Sequence, residues 1–170
     1  MYKEFIKNLE KDLRRETNES YIFEEINQEY ETKMIQIFNK AIQDEIQAAV
    51  SYKILAENID NFHIKKEIQE HADEEYKHYS ELIEYAANHN ILNKLTYTPR
   101  VESLPTDEAQ IIDYIQELET EAYKLYKESA DIANQEGDTE TRLFFEELMR
   151  DEMKHFDDLS RKIKRNLNDF

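Results

Sequence analysis

One glycine and two prolines in 170 residues leave this chain almost without turn punctuation. A sheet-rich domain needs tight turns at short intervals, so a chain this poor in turn residues is confined to a few long helices. The length suits one domain with a sizeable core and is too short for two ordinary ones.

Hydrophobic periodicity places the helices. Tyr2, Phe5, Ile6, Leu9 and Leu13 are spaced as a short amphipathic helix, with a polar break expected at Asn18-Glu19-Ser20. This gives an N-terminal extension over residues 1–19 and a bundle domain over 20–170. The first long pattern runs from Ile26 through Phe38, Glu45 and Tyr52 to Ala56, and stops near Asp60-Asn61. The second runs from about Phe62 to His89. A stretch without clear period follows, containing Pro99 and Pro105. Thr106 is the expected N-cap of helix three, with Asp107 and Glu108 in its first turn, where the helix dipole favours acids. Gly137 ends that helix, and Asp138 or Thr139 caps the fourth, which runs to about Asn166. Four such helices make an all-α bundle.

With 39 Asp and Glu against 22 Lys and Arg, the formal charge is −17, which disfavours nucleic acid or an anionic membrane surface as partner. No window is long and apolar enough to span a membrane, and nothing at the N-terminus resembles a signal peptide, so a cytoplasmic location is the expectation. The absence of Cys excludes disulfides, thiolate metal sites and thiol catalysis.

Two Glu-x-x-His strings carry the chemistry, Glu75-Tyr-Lys-His78 and Glu152-Met-Lys-His155. Residues three apart share a helical face, so each string can offer a carboxylate and an imidazole to one ion. Alone the strings are weak signals in so acidic a chain, and their placement strengthens them. The preceding helix of each hairpin carries the same pattern: Glu45-x-x-Ala48-x-x-x-Tyr52-x-x-x-Ala56, then Glu119-x-x-Ala122-x-x-x-Tyr126-x-x-x-Ala130. The midpoints of Glu45–Glu75 and Glu119–Glu152 fall at the two expected turns. Each Glu therefore lies level with the Glu-x-x-His of its antiparallel partner, and the chain is a duplicated hairpin. Bringing the halves together gathers four carboxylates and two imidazoles around one point, the donor set of a two-metal centre in a helical bundle. Mixed oxygen and nitrogen ligands suit Fe or Mn. Without cations, four carboxylates in a core would be prohibitively unstable.

Several neighbours have open roles. Asp151 could accept a hydrogen bond from His78 of the opposite hairpin, and Glu74 from His155, or both could be solvated acids. His71 lies one turn before Glu75, as an extra ligand, a gating residue or a hydrogen-bonded core histidine. His63 and His89 sit near helix ends and are expected to be exposed. Tyr52 and Tyr126 are the catalytic candidates, able to donate to a ligand or to bound oxygen species or to carry an electron; otherwise they simply pack. Glu119 shares a stripe with Ile112, Ile115, Ala122, Tyr126 and Ala130, whereas Glu121 shares one with Glu117, Lys124, Glu128 and Asp131. Glu119 is thus expected inside and Glu121 in water.

Over about residues 30–165 the chain resembles the ferritin-like di-iron carboxylate superfamily, nearest the rubrerythrin and bacterioferritin branch, which carries Glu-x-x-His on both hairpins. The resemblance implies an antiparallel four-helix bundle with a long crossover between helices two and three, from about Asn90 to Thr106. It implies Glu45, Glu75, His78, Glu119, Glu152 and His155 as ligands of two Fe ions per chain, with Mn possible. It further implies an oxidoreductase reacting with O₂ or hydrogen peroxide as a peroxidase or oxidase, fed by an external electron donor, with a manganese centre acting as a catalase as a variant. The alternative is a ferroxidase and iron-storage protein of the bacterioferritin type. A bundle with a vestigial centre is the least favoured reading, because the ligand set is complete.

Departures from the family pattern narrow this. Bacterioferritins place a haem-ligating Met after the first motif Glu, where this chain has Tyr76; Met153 holds that slot only in the second motif. Haem is not expected. Without Cys there is no rubredoxin-type iron module. The chain stops just past helix four, without the short fifth helix of many cage ferritins, so a homo-oligomer is expected as a dimer in preference to a 24-subunit cage.

Overall fold

The computed structural model describes the backbone of residues 2–96 and 103–168, and the side chains of 28–96 and 103–161. Residues 1–36 and 37–170 form two compact units. Four long helices carry the chain: α1 (Tyr2–Ala56), α2 (Phe62–Asn88), α3 (Glu108–Gln135) and α4 (Thr139–Asn168). The fold is an antiparallel four-helix bundle with its crossover between α2 and α3.

The N-terminal region differs from expectation. No separate short helix forms, because the backbone stays helical through Asn18-Glu19-Ser20 as part of α1. Those residues are polar but include neither Gly nor Pro, so each costs an α-helix only a fraction of a kcal/mol, up to about 0.7. The apolar stripe of Tyr2 to Leu13 lies outside the residues whose side chains are described.

Caps define the hairpin turns. The carboxamide oxygen of Asn61 accepts from the His63 and Ile64 amides and starts α2. Asp107, not Thr106, caps α3, its carboxylate accepting from the Gln110 amide at 3.2 Å. Asp138 settles the open choice for α4: it accepts from the Thr141 amide at 3.0 Å and the Thr141 hydroxyl at 2.6 Å. Gly137 has φ 73°. The Asp138 amide reaches back to the Ala133 carbonyl and the Gly137 amide to that of Asn134, a Schellman ending. The same ending closes α2, with Asn90 at φ 59° and the Ile91 amide on Ala86. Asn is the residue that tolerates this left-handed backbone best after Gly.

Beyond α2 a short 3₁₀ turn, Leu92–Lys94, begins the crossover. The crossover is pinned to α1 at Thr96, whose amide donates to Asn39 at 2.8 Å and whose carbonyl accepts from Gln43 at 3.1 Å.

Two apolar clusters flank the middle of the bundle. Towards the α1–α2 turn, Tyr52, Leu55 and Ile59 pack with Ile64, Ile68, Ile111, Ile115 and Leu159. Towards the other end, Phe38 stacks on Tyr85 and meets Phe145 at a tilt, and Tyr126 stacks on Phe145. Each helix therefore has apolar residues on both sides of a polar mid-section.

Gly137→Ala should lower stability by about 1–2 kcal/mol, the backbone cost of a left-handed residue with a Cβ, since an added Cβ meets nothing within 4 Å. Asp138→Ala should cost about 1 kcal/mol through the lost cap. Chemical denaturation of both variants checks this; no loss from Gly137→Ala would show that the turn adopts another conformation.

Candidate metal centre

The polar mid-section holds Glu45, Glu75, His78, Glu119, Glu152 and His155, each 1–3% exposed. α1 contributes Glu45, α2 Glu75 and His78, α3 Glu119, and α4 Glu152 and His155. Their donor atoms form two overlapping clusters, each within 4.8 Å: Glu45, Glu75, His78 and Glu152; and Glu75, Glu119, Glu152 and His155. Glu75 and Glu152 belong to both and could bridge two ions. Glu45 with His78, and Glu119 with His155, could complete one ion each.

Both imidazoles turn Nδ1 inward. His78 Nδ1 lies 3.2 Å from Glu75 and 3.1 Å from Glu152, and His155 Nδ1 lies 3.1 Å from Glu75 and 3.3 Å from Glu119. Nε2 points outward to an acid of the opposite hairpin. His155 Nε2 is 2.7 Å from Glu74, while His78 Nε2 is 3.5 Å from Asp151. Such outer carboxylates orient a ligating imidazole and raise its basicity.

Tyr52 and Tyr126 also cross between hairpins. Tyr52 donates to Glu119 Oε1 at 2.9 Å, and Tyr126 donates to Glu45 Oε1. Burial, then the charge of the accepting carboxylate, holds both phenols well above the usual tyrosine range, so they stay protonated donors.

The charge balance is strained. Burial, reinforced by Glu75, pushes the Glu45 carboxyl up to about 8. Burial also pushes Glu119 up to about 7, opposed by the nearby imidazole of His155 and helped by the charge of Glu152. For His78 and His155 burial alone would favour the neutral ring, but the surrounding carboxylates overcome it and hold both well above the usual range.

Even so, Glu45 Oε2, Glu75 Oε1, Glu119 Oε2, both Glu152 oxygens and His155 Nδ1 are buried without a hydrogen-bond partner. Orphaned buried polar atoms are rare because each loses its hydration uncompensated. Six of them converging on one point fit a pair of cations, and their oxygen and nitrogen chemistry suits Fe or Mn.

A ferritin-like domain profile matches residues 35–166. The chain belongs to the ferritin-like family. Similar solved structures include a ferritin-like, diiron-carboxylate protein of Bacillus anthracis strain Ames, at 22% identity and TM-score 0.67, with 78% of this chain and 96% of that one covered. A mycobacterial bacterioferritin is similar at 18% identity and TM-score 0.66, over 78% of this chain and 83% of its own. A Rhodobacter capsulatus bacterioferritin, described with a metal-free dinuclear site and haem iron, is similar at 25% identity and TM-score 0.65, over 78% and 84% of the two chains. No curated protein sequence matches. This ferritin-like chain thus combines the fold with a buried Glu/His dinuclear site.

The remaining candidates are distributed as follows. Glu121 is exposed, with Glu117, Lys124, Glu128 and Asp131, while Glu119 is inside. His63 and His89 are exposed. His71 is buried but belongs to neither cluster. Its ring stacks on His155 at 4.7 Å, its Nε2 is 3.5 Å from Glu67, and its Nδ1 has no partner. Burial, then the neighbouring His155, lowers its proton affinity. Glu67, itself buried, escaped the sequence reading, though it lies four residues before His71 on the same face. No described helix is long and apolar enough to cross a membrane.

Glu119→Ala should lower metal affinity on the order of tenfold or more, as even outer-shell changes do, and Glu121→Ala should leave it unchanged; equilibrium dialysis with Co(II) distinguishes them. A second outcome concerns pH. Glu45 and Glu119 hold protons in the folded metal-free state well above their ordinary 4.5, so their contribution to stability is present in acid and lost as pH rises through 7 to 8. The two histidines act with the same sign. The metal-free protein should therefore melt lower at about pH 9 than at about pH 6, and metal should raise the melting temperature more at the higher pH. Melting curves with and without chelator check this; an apo protein that gains stability over that range would contradict the assignment.

Proposed function

We propose that this chain is a non-haem di-iron or di-manganese oxidoreductase that reduces O₂ or hydrogen peroxide with electrons from an external protein donor, in the manner of a rubrerythrin-like peroxidase or oxidase. The observation that carries it is the pair of overlapping donor clusters sharing Glu75 and Glu152. Two redox-active ions held there would supply the electron-transfer chemistry for reducing an O–O bond. Glu45 and His78 would hold one, Glu119 and His155 the other, with Glu75 and Glu152 between them.

The protein's own groups prepare that centre. Tyr52 and Tyr126 fix the outer carboxylates through their hydroxyls and lie close enough to supply a proton or an electron. Glu74 and Asp151 keep Nδ1 of each imidazole aimed inward. The apolar clusters on either side hold the helices together around it.

A second reading, ferroxidase and iron storage, is favoured by the likeness to two bacterioferritins. There Fe(II) would itself be the electron donor. Tyr76, standing where bacterioferritins place a haem-ligating Met, favours the enzyme without haem.

Reconstitution with Fe(II) should give two ions per chain by elemental analysis, and the double variant His78→Ala/His155→Ala should retain few. Peroxide consumption should continue through many turnovers when a reduced donor is supplied, with iron content staying at two. Accumulation of hundreds of irons in a large assembly would instead establish storage. A wild-type ratio near zero would remove both readings.

A further inference from the structure

A cavity of about 110 Å³ lies between α1 and α3 and reaches the centre. All four proposed carboxylate ligands line it, and neither imidazole does. The centre is thus approached on its carboxylate side, opposite the histidines and their outer acids. Tyr52 and Tyr126 form part of the wall, as do Ala48 and Ala122.

The two alanines occupy equivalent places in the duplicated pattern. Each lies three residues after a ligand Glu and four before a Tyr, on the same helical face. The tyrosines cross to the opposite helix's Glu, Tyr52 to Glu119 and Tyr126 to Glu45. Ala48 and Ala122 therefore sit between two crossing side chains, where a single methyl group leaves the cavity open. Both are only half-buried, Ala48 at the edge of the apolar cluster around Tyr52, so neither methyl is enclosed in the core. Any longer side chain at either place would extend into the path to the carboxylates.

We propose that Ala48 and Ala122 determine the size of the molecule that reaches the centre. The cavity is smaller than the roughly 150 Å³ space that takes up benzene, so it admits ligands of about two or three heavy atoms, such as dioxygen, peroxide or azide, and excludes anything the size of an aromatic ring. This inference rests on the two-metal reading and specifies its substrate class.

Co(II)-loaded protein tests it without turnover, by titrating azide and benzoate and following the cobalt d–d absorption. The wild type should respond to azide and not to benzoate. Ala48→Leu and Ala122→Leu should still carry two Co(II) per chain and bind azide on the order of tenfold more weakly, the cost of overfilling a small space. The double variant Ala48→Gly/Ala122→Gly should admit benzoate, and it decides the matter if a leucine variant fails to load. Unchanged azide affinity in loaded leucine variants, or continued exclusion of benzoate by the glycine pair, overturns the size limit and leaves the di-metal reading standing. A wild type that takes up no Co(II) would remove both.

Discussion

Four carboxylates and two imidazoles are buried together in the middle of the bundle, and most of the bundle's other features answer to that. Each buried charge loses hydration worth several kcal/mol, and only an opposite charge in good geometry restores it. Among the protein's own groups the compensation is partial. Glu45 and Glu119 hold protons far above the usual carboxylate range, and both imidazoles are drawn towards the charged form. Atoms of five of the six groups remain unpartnered. The apolar clusters at either end supply the attraction that keeps the helices together around a centre that alone would push them apart.

The duplication organises the response. Each hairpin provides half of the centre and also the supports for the other half. Asp151 of the second hairpin faces His78 of the first, and Glu74 of the first faces His155 of the second. The tyrosines exchange in the same sense, between α1 and α3. Neither hairpin alone could orient its own histidine or hold its own outer Glu, so the site is a property of the assembled bundle. The two halves are nonetheless unequal. Glu74 lies closer to its histidine than Asp151 does, and His71 stacks on His155 where α4 has the buried Leu148 at the corresponding place. The two halves of the donor set therefore differ in what surrounds their histidines.

Much of this was legible in the residues. Scarcity of Gly and Pro, the 3.6-residue period and the repeated Glu-x-x-Ala-x-x-x-Tyr pattern each reflect local helical geometry, which spacing along the chain reports directly. They were enough to place four helices, gather the six groups and separate Glu119 from Glu121. Spacing failed where the outcome depended on weak local preferences. Asn18-Glu19-Ser20 reads as a break yet stays helical, because polar residues other than Gly and Pro do not forbid a helix. Thr106 and Asp107 are both good caps, and one residue decides between them.

What the sequence determined by itself is the helical architecture, the donor set and its mid-bundle height, since these follow from periodicity and from counting between turns. What only the tertiary structure decided is what happens across helices. The direction of each imidazole, the exchange of tyrosines between hairpins, the burial of Glu67 with His71 and the cavity beside Ala48 and Ala122 all depend on distances between segments far apart in the chain. A helical period states which residues share a face, but not which residue of another helix that face meets.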